Sequence, residues 1–238
     1  MKAYVLTGGL GTRLSAQFPD LPKAMVPVAG RPFIERQLEW LAGHGLTDVV
    51  LCAGYGAGPL LEHVGDGARF GVRARAVVED RPRGTAGALA DALEATGAGP
   101  AETVFAVNGD TWAEFQLTTM EALHQTLDAD ATLACYRVDE ASARGAVDAD
   151  EDGRLRGFRE KVAIGPGWVS GGLYLLRRRA LAAVGSRAMS LEEEIFPMLL
   201  AAGRPLGALR FPGRFWDMGT PEGRVAAEAA LAARESSR

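Results

Sequence analysis

The stretch Ala3-Tyr4-Val5-Leu6-Thr7-Gly8-Gly9-Leu10-Gly11-Thr12-Arg13-Leu14 joins a short apolar run directly to a glycine-rich loop. The apolar run predicts a buried strand over 3–6. In α/β sheets, ligands bind beyond the carboxyl ends of the strands, where this loop lies. Glycines at such a place let backbone N–H groups approach phosphate oxygens closely. The stretch therefore predicts an α/β fold with an anion-binding loop after its first strand.

Strand-like and helix-like runs alternate after this loop, which is typical of an α/β fold around a largely parallel sheet. In the first half the strands are predicted at 48–53, 72–78 and 103–107, and the helices at 32–42, 60–64 and 85–95. In the second half the strands are predicted at 131–138, 154–159 and 168–176, with a turn at 150–153. Ser190-Leu191-Glu192-Glu193 predicts a capping box for a helix reaching about Ala202. Thr220-Pro221-Glu222 predicts the start of the last helix.

Composition excludes several classes of protein. The chain has 238 residues, of which 47% are hydrophobic and 24% are charged, so it is neither disordered nor fibrous. The net charge of −4 argues against a nucleic-acid or membrane-surface protein. The apolar start is too short for a signal peptide, and no run approaches the ~18 apolar residues of a membrane span. We expect one domain over 1–238, located in the cytoplasm.

Two side-chain counts carry further information. Cys52 and Cys135 lie in separate strand-like runs without metal-site or redox spacing, which predicts two reduced, buried thiols. Of the 26 basic residues only Lys2, Lys23 and Lys161 are lysine. In a chain that uses arginine almost everywhere, a lysine within a motif points to a need for a compact point charge.

The glycine loop matches neither of two common phosphate-binding motifs. No Gly-Lys-Ser/Thr ends it as in a P-loop, and Leu14 occupies the final glycine position of the dinucleotide fingerprint. Arg13 in the loop and Lys23, which follows Pro22, place two cations within reach of one phosphate chain. A tight turn with a surface lysine is the alternative explanation. A nicotinamide dehydrogenase is disfavoured by Leu14 and by the lack of an acidic residue closing a fingerprint at the second strand.

The loop and Pro22-Lys23 together resemble the signature of sugar-1-phosphate nucleotidyltransferases. Further motifs of that family follow in order to the last helix: Glu79 to Leu89, Val107 to Asp110, Phe158 to Lys161, Val169 to Tyr174, Ser190 to Phe196 and Phe215 to Glu222. Within the family the chain is most similar to the bacterial D-glycero-D-manno-heptose 1-phosphate guanylyltransferases. The resemblance implies a Rossmann-like three-layer αβα fold with a mixed, mostly parallel sheet. Because the sequence ends just after the last helix, we expect it to lack the β-helix domain that some relatives append.

The resemblance implies transfer of a nucleoside monophosphate from an NTP to a sugar 1-phosphate, with release of pyrophosphate. A sugar phosphate has a second pKa near 6 and is largely a dianion at pH 7, so it needs no general base. His44, His63 and His124 lie outside the motifs and are interpreted as structural. Catalysis then rests on aligning two anions and neutralising the developing charge.

Roles for individual residues follow from the same resemblance. Arg13 and Lys23 are the catalytic cations, and Asp110 and Asp217 hold Mg²⁺. The nucleotide-binding set is Gly8, Gly9, Gly11, Thr12, Glu79, Gly84 and Thr85. The sugar-phosphate-binding set is Asn108, Gly145, Glu160, Lys161, Gly171 and Gly172. Glu79 lies where the family's base loop places its base-reading side chain. One carboxylate can accept both N1–H and N2–H of guanine but only one N–H of uracil, which predicts a preference for GTP.

The sugar is less constrained than the reaction. Ser170 stands where the heptose relatives usually carry Asn, and Arg144-Gly145-Ala146-Val147 stands where they usually read Tyr-Gly-Val-Val. The alternatives are a mannose-1-phosphate guanylyltransferase and a hexose-1-phosphate uridylyl- or thymidylyltransferase. A catalytically silent subunit that binds nucleotide sugars is the alternative from another class. The expected partners are GTP and a sugar 1-phosphate, without nucleic acid or membrane, and a homo-oligomer stays open.

Overall fold

A computed structural model describes residues 1–9, 18, 21–54, 56–141, 146–159 and 165–235 of the chain. Its strands are β1 (Lys2–Leu6), β2 (Pro27–Val28), β3 (Arg31–Pro32), β4 (Asp48–Ala53), β5 (Arg73–Val78), β6 (Thr103–Asn108), β7 (Thr111–Ala113), β8 (Ala131–Val138), β9 (Ala146–Ala149), β10 (Leu155–Arg159), β11 (Gly167–Arg177), β12 (Leu206–Phe211) and β13 (Phe215–Asp217). Its helices are α1 (Phe33–Gly43), α2 (Gly58–Val64), α3 (Gly84–Ala95), α4 (Leu117–Thr126), α5 (Phe196–Ala201) and α6 (Pro221–Glu235), with a π-helical turn at Leu191–Ile195.

A seven-stranded sheet in the order β12-β8-β11-β6-β1-β4-β5 forms the centre of this part of the chain. β1 pairs in parallel with β4 and β6, β4 with β5, and β8 with β12. β11 runs antiparallel to both of its neighbours. The predicted mixed, mostly parallel sheet is confirmed. All its parallel strands end at one edge, where Gly8 and Gly9 come after β1 and Asn108 ends β6.

Helices cover both faces of the sheet because its strands are apolar on both sides. On one face Tyr4 and Val50 pack against α3, α5 and the π-helical turn. On the other face Val5 and Phe105 pack against α1, α2 and α4. The three-layer αβα architecture is therefore confirmed. None of the helices in the described ranges is long and apolar enough to cross a bilayer.

The predicted elements agree with the observed ones to within about two residues, and one capping detail differs. Ser190 caps its helix as predicted, accepting a hydrogen bond from the Glu193 N–H at 3.2 Å. The reciprocal acceptor for the Ser190 N–H is Glu194, at 2.8 Å, rather than Glu193. The helix opens with a π-helical turn, which is wider than an α-turn and brings the next residue over Ser190. The Thr220 cap of α6 is confirmed by its bond from the Gly223 N–H.

Candidate active site

A cleft of about 520 Å³ opens at the carboxyl end of the sheet. Its described lining residues are Leu6, Thr7, Gly8, Gly9, Lys23, Ala24, Glu79, Pro82, Gly84, Thr85, Ala88, Asn108, Gly109 and Asp110. The loops after β1 and β4 approach each other closely here, because a Cβ on Gly54 would lie 2.9 Å from the Gly8 carbonyl oxygen. A Cβ on Gly8 would lie 2.8 Å from Glu79 Oε1. Glycine at position 8 therefore keeps the Glu79 carboxylate close to the β1 loop.

Lys23, Asp110 and Asp217 converge at one side of this cleft. Lys23 Nζ forms an ion pair with Asp110 Oδ2. A Cβ on Gly219 would contact Lys23 Nζ and would lie 2.8 Å from both Asp110 Oδ2 and Asp217 Oδ1. The absence of a side chain at Gly219 thus leaves room where one cation and two carboxylates meet.

A two-stranded sheet brings the two aspartates together. β7 pairs antiparallel with β13, with Thr111 opposite Asp217. Beyond this pair the Met218 N–H donates to the Asp110 carbonyl at 2.7 Å, and the Gly219 N–H donates to Asp217 Oδ1 at 2.8 Å. Each carboxylate is therefore carried by backbone that is hydrogen-bonded to the other's segment.

The donor set fits a hard divalent cation that shares its coordination with a ligand. Two carboxylates from different strands supply oxygen ligands, and Mg²⁺ typically takes one or two carboxylates plus phosphate oxygens and water. Within the described ranges no cluster of three or more His, Cys, Asp or Glu side chains could cage a metal. Two carboxylates leave the remaining positions of such an ion to phosphate oxygens and water.

Gln37 supports the turn that carries Asp110, a role for which no motif in the sequence was recognised. Its buried side-chain amide donates to the carbonyls of Asn108 and Thr111, both at 2.9 Å. These carbonyls flank the turn that carries Asp110. A glutamine on the apolar face of the helix, beside Phe33, Leu38 and Leu41, was the available signal, because a buried amide needs polar partners.

The predicted base loop lies on the opposite side of the cleft. Glu79 follows β5 directly, and its Oε2 accepts a hydrogen bond from the Arg83 N–H at 3.2 Å. Burial raises the pKa of the Glu79 carboxyl, and the bond from Arg83 opposes that rise. Gly84 has a φ of +68°, and a Cβ there would contact the Met189 carbonyl. Thr85 Oγ1 accepts from the Leu191 N–H at 2.8 Å, which ties the start of α3 to the π-helical turn.

On the side predicted to bind the sugar phosphate, Asn108 lines the cleft, and Gly171 and Gly172 lie in the neighbouring strand β11. The register of β11 against β8 shifts between Ser170 and Tyr174. Gly172 has a φ of +72°, and a Cβ there would lie 2.6 Å from Asn108 Nδ2. A Cβ on Gly171 would lie 2.5 Å from the Tyr136 ring. Gly172 therefore lets the Asn108 amide pack closely against β11, and Gly171 makes room for the Tyr136 ring.

Six predicted site residues lie outside the described part of the chain: Gly11, Thr12, Arg13, Gly145, Glu160 and Lys161. Of the predicted residues that are described, Gly8, Gly9, Glu79, Gly84, Thr85, Asn108, Lys23 and Asp110 line one cleft. Asp217 lies beside the same cleft, because its Oδ1 and the Oδ2 of the cleft residue Asp110 would both lie 2.8 Å from a Cβ on Gly219.

The histidines and cysteines are engaged elsewhere. His63 pairs with Glu35, His44 bonds to the Trp40 carbonyl, and His124 contacts the Thr132 hydroxyl. Both cysteines are free and buried, and burial raises the pKa of each thiol. None of these five side chains is among the described residues that line the cleft.

Comparisons with known proteins identify the family of the chain. The family model described as nucleotidyl transferase matches residues 2–234. The mannose-1-phosphate guanylyltransferase of Mycobacterium tuberculosis is 34% identical over 96% of this chain and 64% of its own length. The probable mannose-1-phosphate guanylyltransferase 2 of Arabidopsis thaliana is 36% identical over 93% of this chain and 62% of its own length. This chain thus spans less than two thirds of these curated relatives.

Among solved structures, the crystal structure of HddC from Yersinia pseudotuberculosis complexed with GMP-PN superposes with a TM-score of 0.82. It shares 27% sequence identity with this chain, and the match covers 97% of this chain and 99% of that one.

Proposed function

The chain belongs to the nucleotidyl transferase family, and from that premise we propose that it transfers GMP from GTP to a sugar 1-phosphate. The observation that carries the proposal is the convergence of Lys23, Asp110 and Asp217 at a cleft whose far side holds Glu79. The cleft then has a cation for phosphate oxygens, two carboxylates for a metal and an acceptor for a base. A catalytically silent binding subunit would need neither the lysine nor the two carboxylates.

The reaction needs a nucleophile, and the sugar phosphate supplies it. As a dianion near pH 7, its oxygen attacks the α-phosphorus of GTP without losing a proton to the protein. A bond forms between that oxygen and the α-phosphorus, and the bond from the α-phosphorus to the bridging oxygen breaks. Pyrophosphate leaves with the electron pair. The protein contributes alignment of the two anions and charge stabilisation.

The charged side chains at one side of the cleft each have a task in this scheme. The Lys23 ammonium leaves Asp110 for a phosphate oxygen, where a point charge stabilises the extra negative charge of the transition state. Asp110 and Asp217 would hold Mg²⁺, which when bound would supply positive charge to neutralise the phosphates. The backbone N–H groups of Gly8 and Gly9, which line the cleft, are proposed to bind the phosphate chain.

Glu79 is proposed to select guanine. Its carboxylate can accept N1–H and N2–H of guanine together, whereas uracil presents one N–H between two carbonyls that would repel a carboxylate. The partial burial of Glu79 strengthens such charge-assisted bonds, since fewer waters compete for them. Relatives named as guanylyltransferases and a neighbour complexed with GMP-PN support the same choice of base.

For the sugar, two candidates of the same manno configuration are proposed. Mannose 1-phosphate is favoured by the relatives that are named mannose-1-phosphate guanylyltransferases. D-glycero-D-manno-heptose 1-phosphate is favoured by the motif resemblance, although Ser170 stands where those relatives usually carry Asn.

A substrate panel tests the proposal. Pyrophosphate release is measured with GTP, ATP, UTP or dTTP against mannose, heptose and glucose 1-phosphates, each with Mg²⁺ and with EDTA. We expect turnover with GTP and a manno-configured 1-phosphate, lost in EDTA and with the free sugar. Turnover that is faster with UTP or dTTP would contradict the guanylyl assignment. No pyrophosphate release with any combination would favour the silent binding subunit.

A further inference from the structure

Arg83 is a buried cation beside the cleft whose side chain turns away from it. Only 7% of the side chain is exposed. Its guanidinium makes a two-pronged contact with Asp91, with Nε 2.9 Å from Oδ2 and Nη2 3.0 Å from Oδ1. Nη2 also donates to the Gly185 carbonyl at 2.8 Å. Neither Arg83 nor Asp91 is among the described residues that line the cleft.

The backbone of the same arginine holds the base loop. Its N–H donates to Glu79 Oε2 at 3.2 Å, and its carbonyl accepts from the Met189 N–H at 2.9 Å. The residue that presents an N–H to Glu79 is thus fixed through its own side chain to α3 and to Gly185. Movement of the guanidinium would move the donor that orients the Glu79 carboxylate.

Gly87 makes room for this arrangement. A Cβ on Gly87 would lie 2.7 Å from Arg83 Cβ and 3.4 Å from Arg83 Nε. The arginine side chain therefore runs across the first turn of α3 to reach Asp91, two turns into the helix. A fork of two parallel hydrogen bonds fixes orientation as well as distance, which a single-point contact does not.

We propose that Arg83 and Asp91 form a positioning pair that sets the nucleobase preference of the cleft by fixing the Glu79 carboxylate. The inference rests on the proposed function, in which Glu79 reads the base. Guanine gains its advantage only when both of its N–H groups meet a carboxylate held in the right plane. If the Glu79 carboxylate could move, it would lose the second hydrogen bond to guanine. The affinity for UTP would change little, because uracil offers the carboxylate only one N–H.

Nucleotide binding at equilibrium tests the pair without relying on turnover. GTP and UTP each displace a fluorescent GTP analogue from the intact chain and from the Arg83→Leu, Arg83→Lys and Asp91→Asn variants. We expect Arg83→Leu to weaken GTP binding about tenfold and to leave UTP within about twofold, since a site built to hydrogen-bond a ligand discriminates through those bonds. Arg83→Lys is expected to behave like Arg83→Leu, because a lysine lacks the fork.

Arg31→Leu is the matched control. Arg31 precedes α1 as Arg83 precedes α3, and its guanidinium reaches Glu39, eight residues on, with the same spacing as Arg83 and Asp91. Arg31 is not among the described cleft residues. The ratio of GTP to UTP affinity should be unchanged in this variant.

Thermal unfolding establishes which variants fold. If Arg83→Leu does not fold, the Asp91→Asn variant tests the pair in its place. Asp91 is 41% exposed, and asparagine keeps its size and one hydrogen-bond acceptor. An unchanged ratio of GTP to UTP affinity in a folded variant would overturn the positioning pair, and so would a wild type that binds UTP as tightly as GTP or binds neither. A wild type that prefers GTP but releases no pyrophosphate would refute the proposed function alone, and the loss of preference in Arg83→Leu would still support the pair.

Discussion

The central sheet carries a cluster of charged side chains at each end, and the two clusters are built differently. At the amino end of the parallel strands, Asp130 is fully buried between Arg179 at 2.6 Å and Arg204 at 2.5 Å. At the carboxyl end, Lys23 lies beside Asp110 and Asp217 at the wall of an open cleft. One carboxylate faces two cations in the first cluster, and one cation faces two carboxylates in the second.

This difference separates a structural role from a chemical one. A buried carboxylate between two guanidinium groups has its charge compensated by the protein and is closed to ligands. A lysine and two carboxylates beside a cleft can exchange their partners when phosphates and a metal enter. The amino end should therefore determine stability, and the carboxyl end should determine turnover.

The largest expected effect is on stability at the amino end. Replacing both arginines in Arg179→Leu/Arg204→Leu leaves Asp130 as an uncompensated buried charge, which should cost about 3 to 5 kcal/mol of unfolding free energy. Urea unfolding measures it. In Asp130→Asn the arginines, each about 40% exposed, can reach water, so the loss should be smaller. Equal losses in both variants would show that removing the two arginines costs no more than removing the carboxylate between them.

The next effect is on turnover at the carboxyl end. Asp110→Asn should lower turnover by about 10² or more, because it removes charge from a partly dehydrated site. Its urea midpoint should change little. Glu102→Gln is the matched control, since it breaks the Lys2–Glu102 pair, in which the lysine is as exposed as Lys23. Full turnover in Asp110→Asn, or an equal loss in Glu102→Gln, would remove the distinction between the two ends.

A smaller effect concerns the choice of base within the cleft. Glu79→Gln replaces one acceptor with a donor, so it should reduce the preference for GTP over UTP by about 1 to 3 kcal/mol. The measurement is kcat/KM for both nucleotides with one sugar 1-phosphate. Glu62→Gln, in α2 and away from the described cleft residues, serves as the control. If the ratio stays at the wild-type value, Glu79 does not read the base.

The smallest effect is a pH dependence beside the amino-end cluster. Burial, followed by the charge of Arg177, lowers the pKa of His124 to about 4. The unfolded chain therefore takes up this proton first as the pH falls, and stability is lost between pH 6.5 and 4. From pH 7 to 5.5 the loss should be about 1 kcal/mol. His124→Gln should remove that part of the loss in urea unfolding, and an unchanged pH dependence would place its source elsewhere.

Much of the fold follows from local patterns in the sequence. Six strands of the main sheet and the helices α1 and α3 are long and apolar enough to be predicted to within about two residues, whereas the seventh strand, β12, was not predicted. The strands β7 and β13 were not predicted, because three residues carry too little periodicity to mark a strand. This missed pair is the one that brings Asp110 and Asp217 together, so their proximity followed only from the family resemblance.

Contacts that depend on packing were also missed. The Arg83–Asp91 pair requires the space above Gly87, and the Gln37 bonds require the turn after β6 to lie over α1. Neither requirement is visible as a motif. The Arg83–Asp91 pair and Gln37 contact the residues of the cleft without lining it themselves. The sequence motifs, in contrast, describe the residues that face a ligand.

The most direct test of the account follows the label of [α-³²P]GTP in the wild-type protein with Mg²⁺ and a manno-configured sugar 1-phosphate. If the protein transfers GMP to the sugar phosphate, the label enters a nucleotide sugar and unlabelled pyrophosphate is released in equal amount. Neither product forms without the sugar phosphate. Label recovered as GDP or GMP, at a rate independent of the sugar phosphate, would contradict guanylyl transfer in this cleft.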